Sequence, residues 1–330
     1  MYEGIQNAPR DPQAEIEFLS TTYNTSYTWN YAMVRRELHT LYEKAKREQW
    51  NGGEVLPWSL AVDPESEILP DVQIPVYGTH IWEKCTPGDV LKLRREQIRW
   101  MLSNFMHGEQ GALLATAQIV DATPSMEAKF YGATQVMDEA RHVEVFARYL
   151  NEKLGGPYRI NQHLKALLDA ILTDSRWDMK YLGMQIMVEG LAMAAFGFMH
   201  KTCTEPLLRE LLHYVIRDES RHVAFGVIAL DNYFDQLRPA ERREREEFLF
   251  EGCRLLRDRL LARDVWEVMG WPVDEVTQIV LHSPTMIEFR KMLFAKIVPN
   301  VKRLGLLSPY LRERFAEIDI LKFEHEEPSA

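Results

Sequence analysis

One pattern, written twice, limits what this chain can fold into: Asp138-Glu139-Ala140-Arg141-His142 and Asp218-Glu219-Ser220-Arg221-His222. Each copy lies in a stretch with helical hydrophobic spacing, and residues three apart on a helix stand one turn apart on one face. Each copy therefore aims a carboxylate and an imidazole at the same point. A single glutamate precedes each copy by 30 positions, Glu109 before Glu139 and Glu189 before Glu219, each in an apolar segment of its own. A carboxylate in such surroundings is rarely buried unless it is paired, protonated or bound to metal. One Glu from each of two helices plus Glu-x-x-His from each of two others is the donor set that holds two divalent metals in a four-helix bundle. The expected ligands are Glu109, Glu139, His142, Glu189, Glu219 and His222. A lone Glu-x-x-His is usually a solvated pair; two copies with matched upstream glutamates reverse that expectation.

Over about 91–234 these residues resemble the ferritin-like di-iron carboxylate superfamily. Its oxygen-activating branch includes ribonucleotide reductase small subunits, acyl-carrier-protein desaturases, hydrocarbon monooxygenase subunits and arylamine N-oxygenases. The resemblance implies an all-α, ferritin-like four-helix bundle with extra N- and C-terminal helices. It also implies two Fe per chain, with Mn/Fe as the variant pair, bridged by Glu139 and Glu219, with Glu109 and Glu189 mostly terminal. Four carboxylates against two divalent cations leave a neutral centre of hard oxygen ligands and two imidazoles, which suits iron or manganese. The aspartate before each glutamate, Asp138 or Asp218, is placed to accept the free N–H of a ligand histidine from the paired helix. Arg141 and Arg221 would neutralise those aspartates.

Side chains within about a turn of the ligands include Phe105, Leu113, Gln135, Phe146, Gln185 and Met193. That mainly apolar lining favours a small hydrophobic organic substrate. The expected activity is an O2-dependent oxidase or monooxygenase that hydroxylates, N-oxygenates or desaturates such a molecule. No glycine pattern forms a dinucleotide fingerprint, so electrons are expected from a ferredoxin or reductase. Alternatives are a ligand-binding oxidase of the reductase-subunit type with a Mn/Fe centre, and a ferroxidase or iron-handling protein. Departures from the branches are informative. Phe146 stands where the reductase subunits carry a radical-forming tyrosine, and Ala192 and Met193 stand where monooxygenases and desaturases carry a threonine. Val215 stands where arylamine N-oxygenases add a third histidine, and His213 is out of phase with Glu219. The chain thus resembles the oxygenase-like part of the superfamily without matching one branch.

Composition sets the rest. At 330 residues and 46% hydrophobic the chain has ample core. A net charge of −10 argues against a nucleic-acid partner. Cys85, Cys203 and Cys253 are scattered and odd in number, which suits a reducing cytosol. Met1 to Arg10 is polar, and no uninterrupted apolar run approaches a membrane span. A cytoplasmic protein with no membrane association is expected, and by superfamily analogy a homodimer.

A single domain is expected, in three parts: an arm, helix and long loop over 1–87, the bundle over 88–237, and helices with a tail over 238–330. The arm, with Pro9 and Pro12, should be irregular to residue 28, followed by a helix from Trp29 to Trp50. The segment from Leu41 to Asn51, with Leu56-Pro57-Trp58, also resembles the lead-in of several di-iron oxygenases; packing on the bundle is its expected role. Five prolines between residues 52 and 88 predict a long loop with a short helix near Thr79 to Lys84. The bundle helices are expected over 88–121, 125–154, 161–203 with a break near Thr173 to Ser175, and 205–237. The tail should be mobile after Phe323.

Overall fold

The computed structural model describes residues 16–63 and 66–328, and among them there are helices, turns and loops but no strand. Pro9 and Pro12 lie outside the described residues. From residue 16 to 35 the chain runs without helix. The first helix, α1 (Arg36–Arg47), starts later than hydrophobic spacing predicts. The cause is local: the backbone N–H groups of Val34 and Arg35 donate to the Glu127 carboxylate at 2.5 and 2.7 Å, so they are spent outside a helix. The long loop follows, holding only α2 (Gly52–Val55), a short turn at Asp71–Gln73 and α3 (His80–Glu83).

The bundle begins with α4 (Pro87–Ala122). The Asp89 N–H donates to the Thr86 hydroxyl and the Thr86 N–H to the Asp89 carboxylate, with Pro87 in the first turn where its missing N–H leaves nothing unpaired. A short linker leads into α5 (Met126–Leu154), which is capped by Ser125 and stopped by Gly155 at φ 80°, a left-handed residue that glycine adopts without a Cβ clash. The third bundle element is where the structure departs furthest from the pattern. After α6 (Gln162–Thr173) the chain breaks at the expected place, then continues as α7 (Trp177–Tyr181), a π-helical stretch Leu182–Val188, and α8 (Glu189–Thr202). The widened turn was not anticipated. All seven of its side chains are buried, so the hydrophobic pattern carries no phase from which an added residue could be read.

The fourth bundle helix, α9 (Pro206–Ala229), starts on Glu205, whose carboxylate accepts from the N–H groups of Leu207 and Leu208. It ends eight residues before the expected Leu237; its last carbonyls, Ile228 and Ala229, accept from the Arg35 guanidinium. The C-terminal part is α10 (Pro239–Asp258), α11 (Arg263–Met269), α12 (Val273–His282), α13 (Pro284–Phe294), α14 (Ile297–Arg303) and α15 (Pro309–Glu317). The expected mobile tail is instead anchored through Glu324, which pairs with Arg312 and whose carbonyl accepts from Lys302. Residues 329–330 lie outside the described residues.

α4 packs on α5, and α8 on α9, as two hairpins, with α1 laid across α5 and α9. α10 covers α6 and the π stretch, α11 covers α4, and α13 covers α8. Among the described residues one stretch, Trp177–Thr202, is long and apolar enough to cross a membrane by length and composition, although Asp178, Lys180 and Glu189 interrupt its apolar run. Its most apolar 18-residue window is 72% buried inside the fold, as the core helix of the bundle. Where α9 meets the π stretch, a Cβ on Gly226 would lie 2.4 Å from the Cβ of Gln185, so the bulge fits only because α9 carries glycine there. Gly226→Ala should therefore destabilise the protein by about 1–3 kcal/mol through overpacking. Urea unfolding measures this, and an unchanged midpoint would mean the two elements do not approach so closely.

Candidate metal centre

Each predicted ligand sits where its helix buries it: Glu109 on α4, Glu139 and His142 on α5, Glu189 at the start of α8, Glu219 and His222 on α9, none more than 4% exposed. Their donor atoms form two overlapping groups, Glu109, Glu139, His142 and Glu219, and Glu139, Glu189 and His222, with atoms of each group within 4.8 Å of one another. Glu139 turns Oε2 to His142 Nδ1 at 3.4 Å and Oε1 to His222 Nδ1 at 3.1 Å. Glu219 does the same, with Oε1 3.3 Å from His142 Nδ1 and Oε2 3.7 Å from His222 Nδ1. Glu109 lies 3.3 Å from His142 and Glu189 3.9 Å from His222. Two carboxylates are thus shared between the imidazoles, and two belong to one side each.

The outer face of each imidazole is held from the opposite hairpin. His142 Nε2–H donates to Asp218 at 3.1 Å and His222 Nε2–H to Asp138 at 3.3 Å, which fixes each ring's orientation and turns Nδ1 toward the carboxylates, as a metal ligand requires. Arg141 reaches Asp138 at 2.5 Å and Asp218 at 3.0 Å, and Arg221 pairs with both aspartates from the other side. The lead-in after α1 closes this ring: Glu48 takes Arg221, Gln49 bridges Arg141 and Asp138, and the Trp50 indole N–H donates to Asp218 at 2.7 Å. Sequence reasoning assigned packing to that segment and missed these three polar roles. The only signal for them was its resemblance to other lead-ins, since nothing in the spacing links residue 50 to residue 218.

The outer ring consumes both guanidiniums, against two buried aspartates and the partly exposed Glu48, and none is left for the inner four carboxylates. Burial pushes the Glu109 and Glu189 carboxyls well above the usual carboxylate range, and the neighbouring glutamates push further. Burial also disfavours a charged His142, but hydrogen bonds to Asp218 and the glutamates outweigh it and hold the ring well above the ordinary histidine value. Glu139 Oε2, both Glu219 oxygens and His222 Nδ1 make no hydrogen bond although they are buried. Dry, unpaired oxygen and imidazole donors converging from four helices fit a pair of divalent cations and little else.

The side chains expected to line a substrate pocket separate into three groups. Gln135 and Gln185 pair with each other, and the Gln135 amide donates to Glu139 at 2.8 Å and Glu189 at 3.3 Å; they support the carboxylates rather than line a cavity. Phe146 packs with Phe105 and Phe196 in an aromatic cluster. Leu113 and Met193 are only half-buried and line no large cavity. The cavity of about 400 Å³ lies beyond Phe105, walled by α4, α8, the loop before the bundle and α13, with a mostly apolar surface.

A bundle of two hairpins carrying this donor set defines a carboxylate-bridged di-metal protein of the ferritin-like class. The family model for the p-aminobenzoate N-oxygenase AurF matches residues 33–305, and the chain belongs to that family. It is accordingly a di-iron, O2-dependent oxidoreductase. Among solved structures, an R2-like ligand-binding oxidase with aerobically reconstituted metal cofactor after photoconversion is 17% identical. Its TM-score is 0.52, over 81% of this chain and 92% of that one. The same kind of oxidase with an aerobically reconstituted Mn/Fe cofactor (long soak) is 17% identical with a TM-score of 0.51, over 86% and 98%. Both share the fold. No curated protein matches the chain. The family match supplies the branch that Val215 had withheld, and His213 lies exposed, ring to ring with His200 at 6.0 Å.

Removing one member of the outer ring leaves buried charge uncompensated. Asp218→Ala should cost about 3–5 kcal/mol of stability in metal-free protein, because Arg141 and Arg221 then share a single aspartate. Chemical denaturation of the metal-free variant reads this directly; a loss under 1 kcal/mol, about the size of an exposed pair, would show that the ring is solvated.

Proposed function

We propose that Glu139 and Glu219 bridge two irons, that His142 with Glu109 and His222 with Glu189 complete the two sites, and that the enzyme N-oxygenates a small apolar amine. The observation that supports the ligand roles is the shared orientation of Glu139 and Glu219, one oxygen toward each imidazole. Membership of the p-aminobenzoate N-oxygenase family supports the choice of nitrogen over carbon. Bound iron in its reduced form supplies electrons to O2 in a site from which water is excluded. In the overall reaction one oxygen atom enters an N–H bond to give a hydroxylamine and the other leaves as water. The two electrons this requires come from an external ferredoxin or reductase and the two protons from solvent.

The chain's own residues orient and exclude. Asp138 and Asp218 take the Nε2 protons and turn each Nδ1 inward, where a bound metal would replace its proton, and Gln135 steadies Glu139 and Glu189 from the side away from the cavity. Phe105, Phe146 and Phe196 keep the approach from the cavity dry, which suits an uncharged amine and disfavours hydrated ferrous ion as the substrate. We also place the enzyme in the cytoplasm as a homodimer, a reading supported by the free thiols and by the exposed aromatics Phe18, Tyr27 and Trp29 along the arm.

The test is anaerobic loading with Fe(II), metal analysis, then exposure to O2 with a reductant and an arylamine such as p-aminobenzoate, with products read by mass spectrometry under labelled oxygen. Two irons per chain and label in a hydroxylamine or nitro product are expected. Rapid turnover of excess Fe(II) with no organic product would transfer the assignment to iron handling. In the same preparations Glu139→Ala should lose both metals and His142→Ala mainly one. Equal metal content in wild type and both variants would sink the ligand roles.

A further inference from the structure

Among the described residues four arginines are buried, and three of them are paired: Arg141 and Arg221 with Asp138 and Asp218, and Arg245 with Asp178 at 2.9 Å. The fourth, Arg259, is not. It stands in the single turn Arg259–Leu261 after α10, is 6% exposed, and among the described residues has no carboxylate, carbonyl or hydroxyl partner. Burial is the one influence on it, pushing its guanidinium down to about 10, so it is still cationic at neutral pH. A buried, unpaired charge is among the least favourable things a fold can retain.

Arg259 lines the apolar cavity of about 400 Å³ beyond Phe105, a size typical of small-molecule sites. On one wall α4 contributes residues from Arg94 to Phe105, a run of about 16 Å at the rise of an α-helix. Phe105 is one turn from Glu109, and Leu191 on α8 is two residues from Glu189, so this wall leads to the metal centre. The facing wall comes from the C-terminal segment, with Arg259, Leu260, Met286 and Leu293. The other cations at the cavity are already engaged or open to water. Arg94 is held by Asp71 through two bonds of 2.7 Å, Lys153 donates to the carbonyls of Trp58 and Leu60, and Arg95 is exposed.

We infer that Arg259 is the anchor of an anionic group on the substrate, held on the C-terminal wall while an apolar body spans the cavity toward Phe105. An amine and a carboxylate at opposite ends is already the chemistry of p-aminobenzoate, for which the family is named; the cavity adds the place of the carboxylate, on Arg259 at the far wall, and room for a skeleton longer than one ring. This deepens the N-oxygenase reading and rests on it for the amine, but the anion site stands on the cavity alone. The guanidinium offers a fork of donors matched to a carboxylate, and the dry wall strengthens the pairing.

The test is calorimetric titration of the metal-free protein with para-aminophenylbutanoate and with its methyl ester, which keeps the apolar body and removes the charge. The acid should bind wild type roughly 10- to 100-fold more tightly than the ester, the range expected for a hydrogen-bonded charge. Arg259→Leu should bind the two alike, and its melting temperature without ligand should be no lower than wild type, because the substitution removes an unpaired charge and keeps an apolar wall. Arg259→Lys should retain part of the preference. Equal binding of acid and ester to wild type, an undiminished preference in Arg259→Leu, or no binding of either compound would overturn the proposal. Arg259-dependent binding of the acid without oxygen transfer by the iron-loaded enzyme would support the anion site while removing the N-oxygenase reading.

Discussion

Four carboxylates forced into one dry space are the constraint on which the rest of the structure depends. Glu109, Glu139, Glu189 and Glu219 repel one another in an interior that screens poorly, and the basic groups among them are the His142 and His222 imidazoles, whose pKa the carboxylates hold up. The two guanidiniums nearest, on Arg141 and Arg221, are consumed by Asp138 and Asp218. This division is what makes the site selective for a bound cation. Had the arginines turned inward, the glutamates would be internally neutralised and a metal would have to displace them. Because the outer ring holds both arginines, the four glutamates are left for a bound cation, and the aspartates are left to orient the imidazoles.

The same ring welds the hairpins together. Asp138 serves His222 and Asp218 serves His142, so each hairpin supplies the orienting group for the other's ligand. Glu48, Gln49 and Trp50 then tie the N-terminal segment to the junction. The energetic return from such a buried network is modest when whole and large when broken, so its value lies in geometry: two Nδ1 atoms fixed relative to four oxygens.

The duplicated motif made this much legible in the sequence, because helical spacing converts Glu-x-x-His into one face and Asp-Glu into two directions, one inward and one across. The helix starts near residues 88 and 125 and the stop at 154 were legible as well, because Thr86, Ser125 and Gly155 cap them through chemistry of adjacent residues. What was not legible depends on partners far away in the chain. Val34 and Arg35 fail to join α1 because Glu127 takes their N–H groups, and Leu182–Val188 widens because Gly226 leaves it room. Leu113 and Met193 were assigned to the pocket by being a turn from a ligand, yet each is half-buried and absent from the cavity wall, because being a turn from a ligand does not say which side of the helix meets a cavity. Arg259 could not be found at all, since an arginine in a charged helix end reads as solvated until the fold seals it.

The two halves of the centre are alike in ligands and unlike in surroundings, and the helix directions show how. Phe105 precedes Glu109 by four residues and Phe146 follows His142 by four, while Leu191 follows Glu189; these side chains all lie toward the cavity. Gln135 and Gln185 each precede their glutamate by four residues and lie toward the other end, where Tyr131, Tyr181 and Phe225 seal the bundle. Along the bundle the order is therefore cavity, phenylalanine cluster, His142 half, His222 half, amide pair. A duplicated helix pair gives ligand symmetry, but only the His142 half faces a space large enough for an organic molecule. The π turn falls on the closed side, immediately before Glu189, where its extra residue sets Gln185 against Gln135 instead of against the cavity. A molecule held in this cavity would meet the centre at one face of one half. The amide pair gives Glu139 and Glu189 a fixed support from behind.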